Sequence, residues 1–372
     1  MANVRQCSWG VAREKGYMKT KSTERLKWLD TVRGIAILCV IMCHVVEGGI
    51  YELTVRGMQS VGTISKLFAF VMFSIGRLGV PFFLLTSGYL LLDKEYNDKA
   101  CKNFWKSKCC GLLIAIEFWI VIYNVFLHFF YGVEISLIGT AKEMLLLKSS
   151  PMNHMWYMPM ILGMYITIPF VANALHTIEL KTIAIPCTVL ILCFFVIPTA
   201  NILFQACDMT LGNTIVSAGF SGGVYGMYLV TGYLLKKKLL KQIQTRILVV
   251  CASLSFVCAI VMQVFSYNRN VAYNLWYNNL FLFMCGVSVF ELMERIRHVH
   301  RGKIIFAIAK YSFAIYLVHN PINMILTRCS SFVTVRPVRV LLVWIATVFL
   351  STLVTVIINR IPKVGKIILY MR

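Results

Sequence analysis

Residues 28–44 read W-L-D-T-V-R-G-I-A-I-L-C-V-I-M-C-H, and this stretch decides the fold. Ten uncharged residues separate Arg33 from His44, and the spanning stretch is read as ending near Ile50. About 20 such residues cross the hydrocarbon core of a bilayer as a helix. The helical rhythm puts Asp30, Arg33, Ile37, Ile41 and His44 on one face. From Arg33 to His44 the rise is about 16 Å, close to three turns, so both ionisable groups share a stripe at opposite depths.

The same reading extends along the chain. Apolar stretches of spanning length fall at about 30–50, 66–92, 109–131, 154–175, 182–201, 216–235, 246–267, 275–293, 304–326 and 338–359. Of 372 residues, 59% are apolar and 14% charged, and the mean hydropathy is +0.74. Soluble domains carry roughly 25% charge. A soluble α/β enzyme, a secreted disulfide scaffold and a disordered chain are therefore excluded. The expected fold is all-α: a polytopic bundle of about ten transmembrane helices occupying 26–360, with a basic tail over 1–25 and a second tail over 361–372.

The net charge is +22. The positive residues lie between apolar spans rather than in one stripe, so nucleic-acid binding is not expected. With the N-terminus inside, 26 Lys and Arg fall in inner segments and 8 in outer ones, while Arg33, Arg77 and Lys310 fall within spans. Such a bias places both termini in the cytoplasm. The 13 cysteines are an odd number, without zinc-ligand spacing, and read mostly as small core residues. A pair between Cys207 and Cys329 is left open. No metal is expected.

Ionisable groups at membrane depth are costly and usually functional. In S-I-G-R-L-G-V-P-F-F, residues 74–83, Gly76, Gly79 and Pro81 interrupt a helix around Arg77. A broken helix at this depth lines a cavity or packs on protein. Arg77 is expected there to hold an anion or a carboxylate, with Glu117 as one candidate partner. Glu117 and Lys310 read as further buried charges. The fourth span opens N-H-M-W-Y-M-P-M, which sets His154, Trp156 and Tyr157 at the outer interface. The ninth carries Y-S-F-A-I-Y-L-V-H-N-P, with Tyr316 and His319 toward the outer side. Histidine is the side chain best suited to general-base work near neutral pH.

These segments, in this order and over about 24–360, resemble the integral-membrane acyltransferase family three, which O-acetylates bacterial surface sugars. The family's first-span pattern is an arginine, ten residues and a histidine; Arg33 and His44 meet it. The resemblance implies His44 as catalytic residue supported by Arg33. It also implies donor- or acceptor-site roles for Arg77, Trp156 and His319. From the residues themselves, Lys310 joins Arg77 on the donor side, and Asp30, Glu117, His154, Tyr157 and Tyr316 join Trp156 and His319 around the substrates. The implied donor is acetyl-CoA or a similar acyl-CoA, drawn to the basic inner loops. The implied acceptor is a glycan or lipid-linked sugar, modified at the cell membrane by base catalysis or through an acyl-histidine. A homodimer is one option for assembly. The competing classes are a secondary transporter of a small anionic solute and a related acyltransferase acting on a small molecule.

Overall fold

The computed structural model describes residues 26–212, 222–296, 302–362 and 364–370, with 214, 216 and 219. The expected tail over 1–25 lies outside the described residues, as do parts of the 216–235 and 361–372 segments. Among the described residues every regular element is helical.

The first span is α1 (Lys27–Val45), which runs into a wider π-turn over Val46–Ile50. The second is α2 (Thr63–Arg77) and α3 (Gly79–Leu91), separated by Leu78 alone. The break is narrow because Leu78 keeps helical angles; Pro81 removes only the N–H that would have bonded the Arg77 carbonyl. Then follow α4 (Asp98–Tyr131) and α5 (Tyr157–Thr177). Next come α6 (Leu180–Ile191) and α7 (Ile197–Ala206), joined by a second π-turn. After them stand α8 (Gly223–Lys236), α9 (Thr245–Asn268) and α10 (Leu280–Arg295). The chain ends with α11 (Lys303–Lys310), α12 (Ser312–Cys329), α13 (Arg336–Asn359) and a last short turn.

Seven of these units are long and apolar enough to cross a membrane. The expected stretches 216–235, 275–293 and 304–326 are carried instead by α8, α10 and the α11–α12 pair, of 14, 16, 8 and 18 residues. The shortening has a local cause at α10. Asn279 caps it by accepting from the Leu282 N–H at 3.0 Å, so residues 274–278 stay non-helical.

The first span is the centre of the bundle: 78% of its apolar window is buried, against 22% for α13. Glycines set the closest approaches, as expected where lipid cannot drive helices together by hydrophobicity. A Cβ on Gly88 of α3 would lie 1.8 Å from the Leu229 carbonyl oxygen of α8, and one on Gly232 would lie 2.2 Å from that of Leu85. A Cβ on Gly76 would meet the Cys43 nitrogen at 2.5 Å, and one on Gly79 the Ala36 oxygen at 2.6 Å. The residues expected to break the helix therefore also press α2 and α3 against α1, with Arg77 between them.

One end of the bundle is basic and internally paired. Lys236 and Lys237 hold Asp93 at 2.9 and 2.5 Å, Lys238 holds buried Glu294, and Arg295 holds buried Glu291 at 2.9 Å. Burial raises the Asp93 pKa, but hydrogen bonds and charge from Lys237 and Lys236 outweigh it and leave it below the ordinary value. Lys310 is exposed at the end of α11, which corrects its reading as a buried charge. The pause at Tyr311 that ends α11 turns its ammonium outward, over the Tyr311 ring at 5.2 Å. Cys207 and Cys329 are both free and exposed, so that pair does not form.

Candidate active site

At the end opposite the lysines, α1 changes pitch. The π-turn adds a residue to the coil, and Gly49 closes it at φ +107°, a conformation that favours glycine. The widened turn sets Glu47 beside His44. His44 Nδ1 lies 2.9 Å from Glu47 Oε1, and Arg77 Nη2 lies 3.1 Å from Glu47 Oε2. A carboxylate held by a guanidinium only accepts. Nδ1 therefore carries the proton and donates, which leaves the lone pair of His44 on Nε2.

Arg77 is 4% exposed. Its guanidinium stands over Phe73 at 4.5 Å, Trp276 at 4.6 Å and Tyr277 at 5.4 Å, and Nη1 donates to the Tyr277 hydroxyl at 3.3 Å. The non-helical residues before α10 supply two of these rings. The expected carboxylate partner is present, but it is Glu47. Glu117 sits half-buried on α4 with no ion pair to Arg77, because α4 packs on α5 rather than on the helix that carries Arg77.

Three histidines from three helical segments meet here. The His44 ring is 5.3 Å from His319 and 6.0 Å from His154, and those two are 5.3 Å apart. Their protons are fixed differently. The Tyr123 hydroxyl spends its proton on the Leu317 carbonyl at 2.5 Å. It can then only accept from His154 Nε2, at 3.2 Å. His154 Nδ1 in turn accepts from the Asn320 amide at 2.8 Å. His154 is thus fully engaged and holds no free lone pair. His319 donates Nδ1–H to the Tyr316 carbonyl at 2.7 Å, and its Nε2 is buried without a partner. The Tyr316 hydroxyl donates to the His154 carbonyl at 2.5 Å.

A cleft of about 450 Å³ opens over this cluster, lined by His44, Glu47, Thr54, Asn153, Asn274 and Asn320 among others. The size suits a small ligand or one unit of a larger one. Its polar lining beyond His44 and Glu47 is uncharged. Trp156 stacks on Tyr225, Trp276 and Tyr277 at 5.4–5.7 Å and Tyr157 packs on Tyr316 at 5.7 Å. Both rings back the site rather than stand at a lipid interface. Arg33 lies three turns away, paired with Asp30 at 3.8 Å, outside the cluster. Among the described residues no group of His, Cys, Asp and Glu could hold a metal ion.

Sequence reasoning missed Glu47, Asn320, Tyr123 and Tyr277. Glu47 alone left a signal, the His-x-x-Glu spacing at the end of the first span.

A family model described as an acyltransferase domain matches residues 26–360. The chain belongs to this membrane acyltransferase family. No curated protein and no solved structure matches it. The family match covers all the helices that build the acyltransferase's cleft.

Proposed function

We propose that this acyltransferase moves an acetyl or similar acyl group from cytoplasmic acyl-CoA to a hydroxyl of a cell-surface glycan or its lipid-linked precursor, with His44 as the general base. The single observation that carries the reading is the Glu47 carboxylate shared between His44 and Arg77. It fixes the tautomer that a base needs and meets the positive charge that forms when the ring is protonated. His44 Nε2 takes the proton of the acceptor hydroxyl as its oxygen attacks the thioester carbonyl. Collapse of the tetrahedral intermediate expels the thiolate, which recovers that proton from His44 and leaves as the free thiol. Arg77 acts through Glu47, keeping the carboxylate aligned on His44.

Neutral amides and a hydroxyl in the cleft, from Asn153, Asn274, Asn320 and Thr54, suit a polyhydroxyl acceptor. At the opposite end Lys94, Lys99, Lys102 and Lys106 are exposed. They offer charge to the phosphates of the donor, whereas Lys236 to Lys238 are committed to carboxylates. This arrangement suits a plasma-membrane enzyme with both termini cytoplasmic, taking donor from inside and acceptor from outside.

The test is thiol release from acetyl-CoA by purified protein, with mass spectrometry of surface glycans from cells with and without the gene product. His44→Ala should lower release by a factor on the order of 10² or more at unchanged thermal stability. Release at the wild-type rate by a stable His44→Ala protein would overturn the assignment.

A further inference from the structure

His319 is a buried acceptor with nothing to accept. It is fully buried, its Nδ1–H is spent on the Tyr316 carbonyl, and Nε2 has no partner. A buried polar atom left unpaired is costly and calls for an explanation. Its level in the bundle supplies one. Asn323 Nδ2 donates to the His44 carbonyl at 3.0 Å, which sets Asn323 level with the end of α1. His319 lies one turn before Asn323 on α12, about 6 Å back toward the basic end. It is absent from the lining of the outer cleft, yet its ring is 5.3 Å from that of His44.

His319 therefore stands on the basic-end side of the end of α1, the side from which a donor would bring its thioester. An acyl-CoA thioester presents one hydrogen-bond donor close to its sulfur, the amide N–H of the cysteamine unit. Four bonds separate that nitrogen from the thioester carbon, a span of about 5 Å. That is close to the 5.3 Å between the His319 and His44 rings.

We propose that His319 Nε2 accepts the cysteamine amide N–H of the acyl donor, holding the thioester carbonyl against His44. The proposal rests on the acyl-CoA reading above and adds a positioning residue for the donor. No proton is transferred to His319: it stays neutral, with Nδ1–H on the Tyr316 carbonyl. The same geometry separates it from His154, whose two nitrogens are both occupied.

The experiment compares thiol release from acetyl-CoA with release from the analogue whose cysteamine amide NH is replaced by oxygen, using the full-length protein in lipid nanodiscs. Wild type should turn over acetyl-CoA about tenfold faster, in kcat/KM, than the ester analogue, the scale of one lost hydrogen bond. In His319→Ala the two donors should become equal, with acetyl-CoA falling to the analogue's level. A merely structural histidine would change both donors alike and leave their ratio intact. Equal use of both donors by wild type, or a preserved preference in His319→Ala, overturns the proposal. The wild-type comparison needs no variant, so it stands even if His319→Ala fails to fold. Failure of wild type to use either thioester would sink the acyl-CoA reading itself, which is a different result from equal use.

Discussion

Glu47 binds His44 through one carboxylate oxygen at 2.9 Å and Arg77 through the other at 3.1 Å. The three residues come from the π-turn, the end of α1 and the last residue of α2. The pitch change at the end of α1, with Gly76 of α2 and Gly79 of α3 pressed against α1, brings them together. The His44–Glu47 pair follows the base-and-orienting-group logic of hydrolytic triads, in which the third group sets tautomer and ring position.

Glu47→Gln is therefore expected to be a strong lesion with a mild structural effect. A glutamine keeps the volume and can still bond Arg77 or His44, but it carries no charge to match an imidazolium. Thiol release should fall on the order of 10² or more, while the melting temperature in detergent stays close to wild type. Near-normal turnover by Glu47→Gln would remove the carboxylate from the mechanism.

Arg77 gives a different signature. Its guanidinium is buried among three aromatic rings and faces a carboxylate that would be left uncompensated without it. Breaking such a pair from one side costs about 3–5 kcal/mol when fully buried. Glu47 is 31% exposed on its side chain, which softens the cost. Arg77→Ala should lower both activity and melting temperature. Arg77→Lys keeps the charge but not the fork or the stacking, so it should recover stability more than turnover. A Lys variant that restores full turnover would show that charge alone suffices.

Much of the architecture was legible because apolar length is a strong signal in a membrane chain. Among the described residues the ten stretches are helical in large part, and the interruption at residues 76–81 was readable from Gly76, Gly79 and Pro81. The glycines were read as breakers, whereas they chiefly allow close approach to α1. That role depends on which helix faces them, and periodicity does not say. The same gap explains the choice of Glu117 as partner for Arg77: a helical face is readable from sequence, its neighbour is not. Glu47 was hidden near the end of the first span, beside Gly48 and Gly49, where a carboxylate carries no pattern of its own. Only the π-turn turns it onto His44. The residues that fix His154 are scattered from Tyr123 to Asn320, and no local pattern links them.

The basic end offers a pH test outside the membrane. Asp93 ties the end of the second span to Lys236 and Lys237, and its folded-state pKa is lowered from the ordinary 3.8. A lowered carboxylate pKa adds stability above the unfolded value, and the gain disappears as pH falls through the folded value. Asp93→Asn should thus be less stable than wild type at pH 7, by about 1 kcal/mol or less for a partly exposed pair. The two proteins should melt alike once pH lies below both values. An undiminished difference at such acidity would assign the effect to packing rather than charge.

Topology is checked with the protein's own chemistry. Cys207 is free and exposed at the end of α7, in a segment the charge bias places outside. In a variant that keeps Cys207 alone, a membrane-impermeant maleimide added to intact cells should label it. Labelling only after the membrane is opened would invert the whole arrangement, including the side from which the donor arrives.

The last prediction separates the histidines. His154 donates from Nε2 to Tyr123 and accepts at Nδ1 from Asn320, so its job is that of a two-ended polar spacer. A glutamine offers one N–H donor end and one carbonyl acceptor end, the same inventory without basicity. His154→Gln should therefore keep turnover within about tenfold of wild type, whereas His154→Ala should lose stability by about 1–3 kcal/mol for the groups left unpaired. His44→Gln should behave in the opposite way: it retains hydrogen bonding to Glu47, so the fold should hold, but it cannot take a proton and turnover should collapse. Measuring thiol release and melting temperature for all three variants side by side decides the matter. If His154→Gln collapsed while His44→Gln worked, the base would be His154, and the Glu47–Arg77 pair would be a structural brace.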